Sequence, residues 1–231
     1  MQIFTATKSD LESCMLSEEE SKHCLRVLRK SVGEKIKITN GLGDLLTAEI
    51  IDTRSKKCKF KVIDIVKTKK NTPPLHIAIA PTKNIDRFEF FIEKCTEIGI
   101  AEITPLVCFH SERKAIKFER LNKIITSACK QSKNYHFPIL NDLTHFNDVI
   151  KMTFTNKLIA HCENHEKTAL KNFQTDKSTL ILIGPEGDFS KQEIDLALQN
   201  NFNSISLGES RLRTETAGIV ACTIANLNYE K

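Results

Sequence analysis

Apolar and polar positions change rhythm about one third of the way along this chain. In the first part they alternate with period two: Glu34–Thr39, Leu45–Asp52 and Lys57–Val66 each predict a half-buried strand. Asn40-Gly41-Leu42-Gly43-Asp44, between the first two, predicts a hairpin loop, and Gln2–Thr5 a further short strand. Ser17 with Glu20 predicts a capping box opening a helix that runs to about Lys30, with Cys24, Val27 and Leu28 on its apolar face. The basic, proline-ended run Lys67–Pro74 reads as a linker. Beyond it, Leu75–Ala80 is almost wholly apolar, as a strand covered on both faces would be. Phe88, Phe91, Ile92, Cys95 and Ile98 then recur at helical spacing, and Gly99 closes that helix. Ile103–Val107 predicts a strand and Phe118–Ser132 a helix, and Leu158–Ala160, Thr179–Ile183 and Ser204–Leu207 predict further strands. Ser190 with Glu193 makes a second capping box, and Ala217–Leu227 forms a final helix apolar on more than one face, which fits deep burial or a subunit interface. Strands alternating with helices predict a mostly parallel α/β sheet. Two domains are therefore expected, a small β-rich one over 1–70 and an α/β one over 74–231.

Charge sharpens this division. The 231 residues carry a net charge of +5, and residues 1–72 hold 15 Lys/Arg against 10 Asp/Glu, while the remainder holds 19 of each. The excess gathers around Arg54, Lys56, Lys57, Lys59, Lys61, Lys67, Lys69 and Lys70, which is either a footprint for a phosphate backbone or a solvated lysine face. No apolar run approaches the roughly 20 residues that span a bilayer, and the N-terminus lacks the apolar stretch of a signal peptide, so a cytoplasmic protein without a membrane partner is expected. None of the eight cysteines stands in a C-x-x-C spacing, which predicts free and mostly buried thiols. His161-Cys162-x-x-His165 offers three potential metal ligands in five residues, but no fourth ligand is evident. It reads as a strand end entering a polar loop, and no metal is expected.

Two segments carry the chemistry. Gly184-Pro185-Glu186-Gly187-Asp188-Phe189-Ser190 follows the Thr179–Ile183 strand, and Leu207-Gly208-Glu209-Ser210-Arg211-Leu212-Arg213-Thr214-Glu215-Thr216-Ala217 follows the next. Two such strand-to-helix loops are expected at the carboxyl ends of neighbouring strands, where open α/β sheets hold small ligands. The chain has no G-x-G-x-x-G after the first strand of either part, no P-loop, no G-x-S-x-G and no H-E-x-x-H, which excludes the commonest nucleotide and hydrolase sites. A second constellation comprises Pro81-Thr82-Lys83, Thr96-Glu97-Ile98-Gly99, Ser111-Glu112-Arg113 and Gln131-Ser132. Residues 111–133 hold seven Lys/Arg against two Asp/Glu, which suits an RNA phosphate path.

In that order, these motifs with Ile183-Gly184-Pro185-Glu186-Gly187 and Leu212-Arg213-Thr214-Glu215-Thr216-Ala217 resemble the bacterial 16S ribosomal RNA (uracil-N3)-methyltransferases over nearly the whole chain. His23, Val27-Leu28-Arg29 and Gly33 are similar to that family's N-terminal module. The resemblance implies a PUA-like RNA-binding β-barrel followed by a SPOUT-type α/β domain with a C-terminal trefoil knot. It also implies S-adenosylmethionine as methyl donor, 16S rRNA of the small ribosomal subunit as partner, and a homodimer packed through the knotted domain. Two departures stand out. Asp188 replaces a further glycine, so its carboxylate could face solvent, cap the next helix or alter the cofactor pocket; Lys130-Gln131-Ser132-Lys133-Asn134 differs from the family's usual Glu-Gln and nearby Arg.

Under that resemblance, main-chain groups of Ile183, Gly184, Gly187, Leu207, Gly208 and Leu212, with Glu186 and Ala217 beside them, are expected to hold the adenosyl part. Thr214 and Thr216 would orient the methionine carboxylate at a helix start. Arg213 or Arg113 would stabilise the anion that develops on a uracil losing its N3 proton, and Glu97 or Glu215 would take that proton. His23, Arg26, Arg29, Lys30, Lys56, Lys57, Lys83 and Gln131 are the expected RNA contacts. Two rival readings are a ribose 2′-O-methyltransferase of the same class and a non-catalytic RNA-binding assembly factor.

Overall fold

The computed structural model describes residues 2–54, 57–164 and 166–229. It divides into two compact units, Met1–Asn71 with Cys129–Phe137, and Thr72–Ala128 with Pro138–Lys231. The segment 129–137 joins the first unit although its helical pattern continues from the second. Its polar groups explain why: Lys130 Nζ lies 2.7 Å from Glu20 Oε1, and Gly43 N and Tyr135 O, like Phe137 N and Gly41 O, pair at 2.8 Å. No periodicity reports on such long-range bonds.

In the first unit β1 (Ile3–Thr5), β2 (Lys35–Thr39), β3 (Asp44–Asp52) and β4 (Lys59–Lys67) form one sheet in that order. β1 and β2 are parallel, and the other pairs are antiparallel. The short helices α1 (Lys8–Ser13) and α2 (Glu18–Lys22) precede β2. Phe4, Leu16, Ile38, Ile50 and Phe60 are fully buried in its core.

The helix expected to run to Lys30 is shorter and changes type. After α2, a π-helical turn spans His23–Val27, and Arg29 follows with a left-handed φ of 53°. The wider turn rotates the later side chains, so Cys24, Leu25 and Leu28 pack on the core while Val27 is 64% exposed. Only half of the expected capping box forms. Ser17 Oγ accepts from Glu20 N at 3.2 Å, but the Glu20 carboxylate accepts from Thr5 and Lys130 instead of turning back.

The second unit runs β5 (Leu75–Ile79), α3 (Ile85–Ile98), β6 (Glu102–Val107), α4 (Phe118–Ser132, its last turn in the first unit), β7 (Ile139–Leu140), β8 (Thr144–His145), α5 (Phe146–Val149), β9 (Asn156–Ala160), β10 (Thr168–Ala169), β11 (Thr179–Ile183), α6 (Lys191–Gln199), β12 (Asn203–Ser206) and α7 (Thr214–Tyr229). Its sheet order is β10-β12-β9-β11-β5-β6-β7, with β8 beside β6, and every pair is parallel. All residues of β5 and β11 are buried, as strands with both faces covered require. β9 lies between β11 and β12, so the strands ahead of the two glycine-bearing loops are not neighbours as expected. The chain order of strands does not reveal which of them a later strand will insert beside. The final helix also starts three residues earlier than its apolar run, at Thr214.

A candidate ligand cavity at the strand ends

Because β9, β11 and β12 are parallel, their following loops converge at one edge of the sheet, around a cavity of about 800 Å³. That volume suits a small organic ligand. All the residues expected to hold a cofactor line it except Gly187 and Thr216, and Arg213 lines it too. The sequence reading missed a third wall, Ala160–Cys162 after β9, together with Arg87 and Lys167. The only signal for that wall was the His161-Cys162 pair, set aside as a strand end. His161 is buried and shares a 2.8 Å hydrogen bond with the Ser204 hydroxyl, and His165 lies outside the described residues.

The loops are bonded to one another as well as to their strands. Thr214 Oγ1 donates to Gly184 O at 3.1 Å, tying the first turn of α7 to the end of β11. Its hydroxyl is thus engaged, whereas Thr216 is exposed and off the wall. Lys83 N donates to Glu186 Oε1 at 2.9 Å, linking the loop after β5. Arg113 donates to the carbonyls of Thr82 and Lys83 at 3.0 and 2.7 Å, so it braces that loop and is not on the cavity wall. Of the placements expected for Asp188, the structure gives the one at the cavity and not the helix cap. It lines the cavity with a left-handed φ of 61°, and its carboxylate accepts from Cys162 N at 2.7 Å; the next helix is capped by Ser190. Burial and that carboxylate push the Cys162 thiol pKa up.

Of the two candidate bases, Glu97 pairs with Lys94 at 3.1 Å near the end of α3. Glu215 is 9% exposed in the first turn of α7, its Oε1 3.9 Å from Arg87 Nε and its Oε2 buried without a hydrogen-bond partner. The cavity fits a ligand that must approach backbone closely. Gly208 has φ of +138°, which side-chain-bearing residues rarely adopt, and nothing lies within 4 Å of where its Cβ would stand.

Within the first unit, Arg26, Arg29, Lys57 and Gln131 are exposed, while His23 is half-buried, its ring 5.9 Å from that of Phe4. Lys30 pairs with Glu34 at 2.6 Å, and Lys56 lies outside the described residues. In the second unit, Lys83 is exposed and paired with Glu112 at 2.9 Å. No helix among the described residues is long and apolar enough to cross a membrane.

Similarity to known proteins agrees with this geometry. Residues 68–226 match the RNA methyltransferase domain family, and residues 16–63 the RNA methyltransferase PUA domain family. Ribosomal RNA small subunit methyltransferase E of Buchnera aphidicola is 30% identical over 228 residues, covering 90% of this chain and 85% of that protein. The crystal structure of a probable rRNA-methyltransferase from Porphyromonas gingivalis superposes with a TM-score of 0.94 at 38% identity, covering 100% of this chain and 99% of the other. A Neisseria gonorrhoeae ribosomal RNA small subunit methyltransferase E, solved bound to S-adenosyl methionine, gives 0.79 at 25% identity, covering 96% and 95%.

Proposed function

We propose a function from the premise that this chain belongs to the RNA methyltransferase family, among its ribosomal RNA small subunit methyltransferase E members. The chain methylates N3 of a uridine in 16S rRNA, with S-adenosylmethionine as donor. The observation that carries this reading is the cavity where the loops after β9, β11 and β12 meet, with Arg213 on its wall. The family resemblance supports a trefoil knot in the second unit and a homodimer packed through α7. Leu227, 57% exposed on that apolar helix, supports the dimer.

When bound, S-adenosylmethionine supplies an electrophilic methyl group. The remainder of the task falls to the chain. Main-chain groups of Ile183, Gly184, Leu207, Gly208 and Leu212 would hold the adenosyl moiety, and the Thr214–Gly184 bond keeps two of those segments in register. Such preformed positioning supplies much of the catalysis in a transfer between two bound partners. Arg213 stabilises the negative charge that grows on the uracil ring as its N3 proton leaves. Glu215 is better placed than Glu97 to accept that proton: it is not itself on the cavity wall, but it follows Thr214, which is, and one of its oxygens has no hydrogen-bond partner. Because N3 sits on the pairing edge, the target base must be unpaired or extruded. The exposed Arg26, Arg29, Lys57 and Gln131 of the first unit would hold RNA phosphates, with His23, Lys30, Lys56 and Lys83 as further contacts.

Nucleoside mass spectrometry of 16S rRNA treated with the protein and S-adenosylmethionine tests the reaction, and 3-methyluridine is the expected product. Arg213→Ala and Glu215→Gln should each lower the rate by about 10²–10³ while cofactor binding persists. A 2′-O-methylated nucleoside, or no product, overturns the assignment. Undiminished activity in either variant removes that residue's role.

A further inference from the structure

Asp188 makes more bonds across the cavity than its position in a tight turn requires. Its backbone N donates to Pro185 O at 2.9 Å, closing the turn that begins at Pro185. One carboxylate oxygen, Oδ1, accepts from Phe189 N at 2.8 Å, and the other, Oδ2, accepts from Cys162 N at 2.7 Å. Its carbonyl accepts from His110 Nδ1 at 3.1 Å. One residue of the loop after β11 therefore holds the loop after β9 through its side chain and the loop after β6 through its main chain. Neither neighbouring loop belongs to the strand-to-helix connection that carries Asp188. The left-handed φ of 61° is what aims the carboxylate back at Cys162, and Asp is among the few side-chain-bearing residues that tolerate it.

We propose that Asp188 is a positioning residue: its carboxylate fastens the Ala160–Cys162 wall to the Gly184–Asp188 wall and so preforms the cavity for its ligand. The inference deepens the reading of that cavity as an S-adenosylmethionine site and rests on it. The physical case is one of preorganisation. A glycine at position 188 would adopt the same φ and close the same turn, but would leave Cys162 N–H and Phe189 N–H without that acceptor. The walls would then have to be ordered by the incoming ligand, at the expense of affinity. Charge-assisted bonds to backbone N–H groups are about twice as strong as neutral ones, so the carboxylate is a stiff link. The His110 bond involves main chain and would survive the substitution, which isolates the side chain's contribution.

The test uses the full-length protein as Asp188→Gly and Asp188→Asn. Glycine keeps the turn and loses the link; asparagine keeps the conformation and one acceptor oxygen, and should restore part of the effect. Amide hydrogen exchange at Cys162 in ligand-free protein is expected to speed up about tenfold or more in Asp188→Gly and less in Asp188→Asn. The Kd for S-adenosylmethionine, by isothermal titration, should rise about tenfold in the glycine variant, with KM for the donor rising in step and kcat at saturation little changed. A single cooperative thermal transition shows that each variant is folded. Unchanged exchange at Cys162, or faster exchange with unchanged affinity in a wild type that binds, overturns the proposal. If the wild type itself does not bind S-adenosylmethionine, the cofactor reading falls, and the exchange data alone decide whether Asp188 fastens the two loops.

Discussion

At position 218, a side chain as small as alanine's would collide with the core. A Cβ on Gly218 would stand 2.5 Å from Phe91 Cε2 and 2.9 Å from Ile79 Cδ1, both residues fully buried. The missing side chain lets α7 lie against α3 and β5, where Cys95 Sγ also donates to Gly218 O at 3.8 Å. Gly218→Ala would gain up to about 1 kcal/mol of helix propensity. Overpacking costs about 1–3 kcal/mol and here involves aromatic and β-branched neighbours held from all sides. The variant should therefore be less stable, with a lower Tm and urea midpoint; an equal or higher Tm would mean that α7 can shift to accept the methyl. Nothing in the sequence marked Gly218, because a glycine within an apolar run shows its purpose only once its neighbour across the helix pair is known. Glu20 hid its role for the same reason: its spacing from Ser17 is that of a capping box, but Thr5 and Lys130 claim its carboxylate.

Elements with self-contained signals are the ones the sequence made plain. α6 is such a case. Ser190 Oγ accepts from Glu193 N at 3.3 Å, and Glu193 Oε2 accepts from Ser190 N at 2.8 Å, the complete capping box that the Ser-x-x-Glu spacing predicts. The other Glu193 oxygen, Oε1, accepts from Phe109 N at 2.8 Å, so the same side chain holds the loop after β6. Ser190→Ala should cost about 1 kcal/mol of stability. Glu193→Ala should cost more, since it also strips the Phe109 N–H of its acceptor. Denaturant unfolding of both variants checks the order, and equal losses would show that the Phe109 bond contributes nothing. The same logic explains which elements stayed hidden. α3 and α4 are long enough to display a helical period, and β5 and β11 to display an apolar run, whereas two-residue strands such as β7, β8 and β10 display neither. The π turn after α2 breaks the 3.6-residue rhythm that would have announced it, which is why Val27 was expected inward and is found outward.

For the molecule as a whole, the all-parallel sheet with covered faces buries a histidine that only global unfolding should release. His76 sits in β5 between β11 and β6, 1% exposed, its Nε2 2.7 Å from Thr104 Oγ1 and its ring 5.4 Å from that of Phe154. Burial disfavours the imidazolium more than Glu102, 3.8 Å from Nδ1, favours it, so the folded-state pKa lies below the ordinary 6.5. As pH falls, the unfolded chain then takes up this proton before the folded one does. The stability that neutral His76 allows is complete above pH 6.5 and is lost progressively as pH falls toward and through the lowered folded value. One such site contributes a slope of at most about 1.4 kcal/mol per pH unit. Denaturant unfolding between pH 7 and pH 5 should show stability falling, and His76→Gln, which keeps a group able to bond Thr104, should flatten part of that fall. Parallel pH profiles for the two proteins would mean that Glu102 offsets the burial and that His76 remains protonatable inside the sheet. The apolar run Leu75–Ala80 announced a strand covered on both faces, although His76 within it was not singled out. Its partners could not be read there, because Thr104 and Glu102 reach it only through the pairing of β5 with β6.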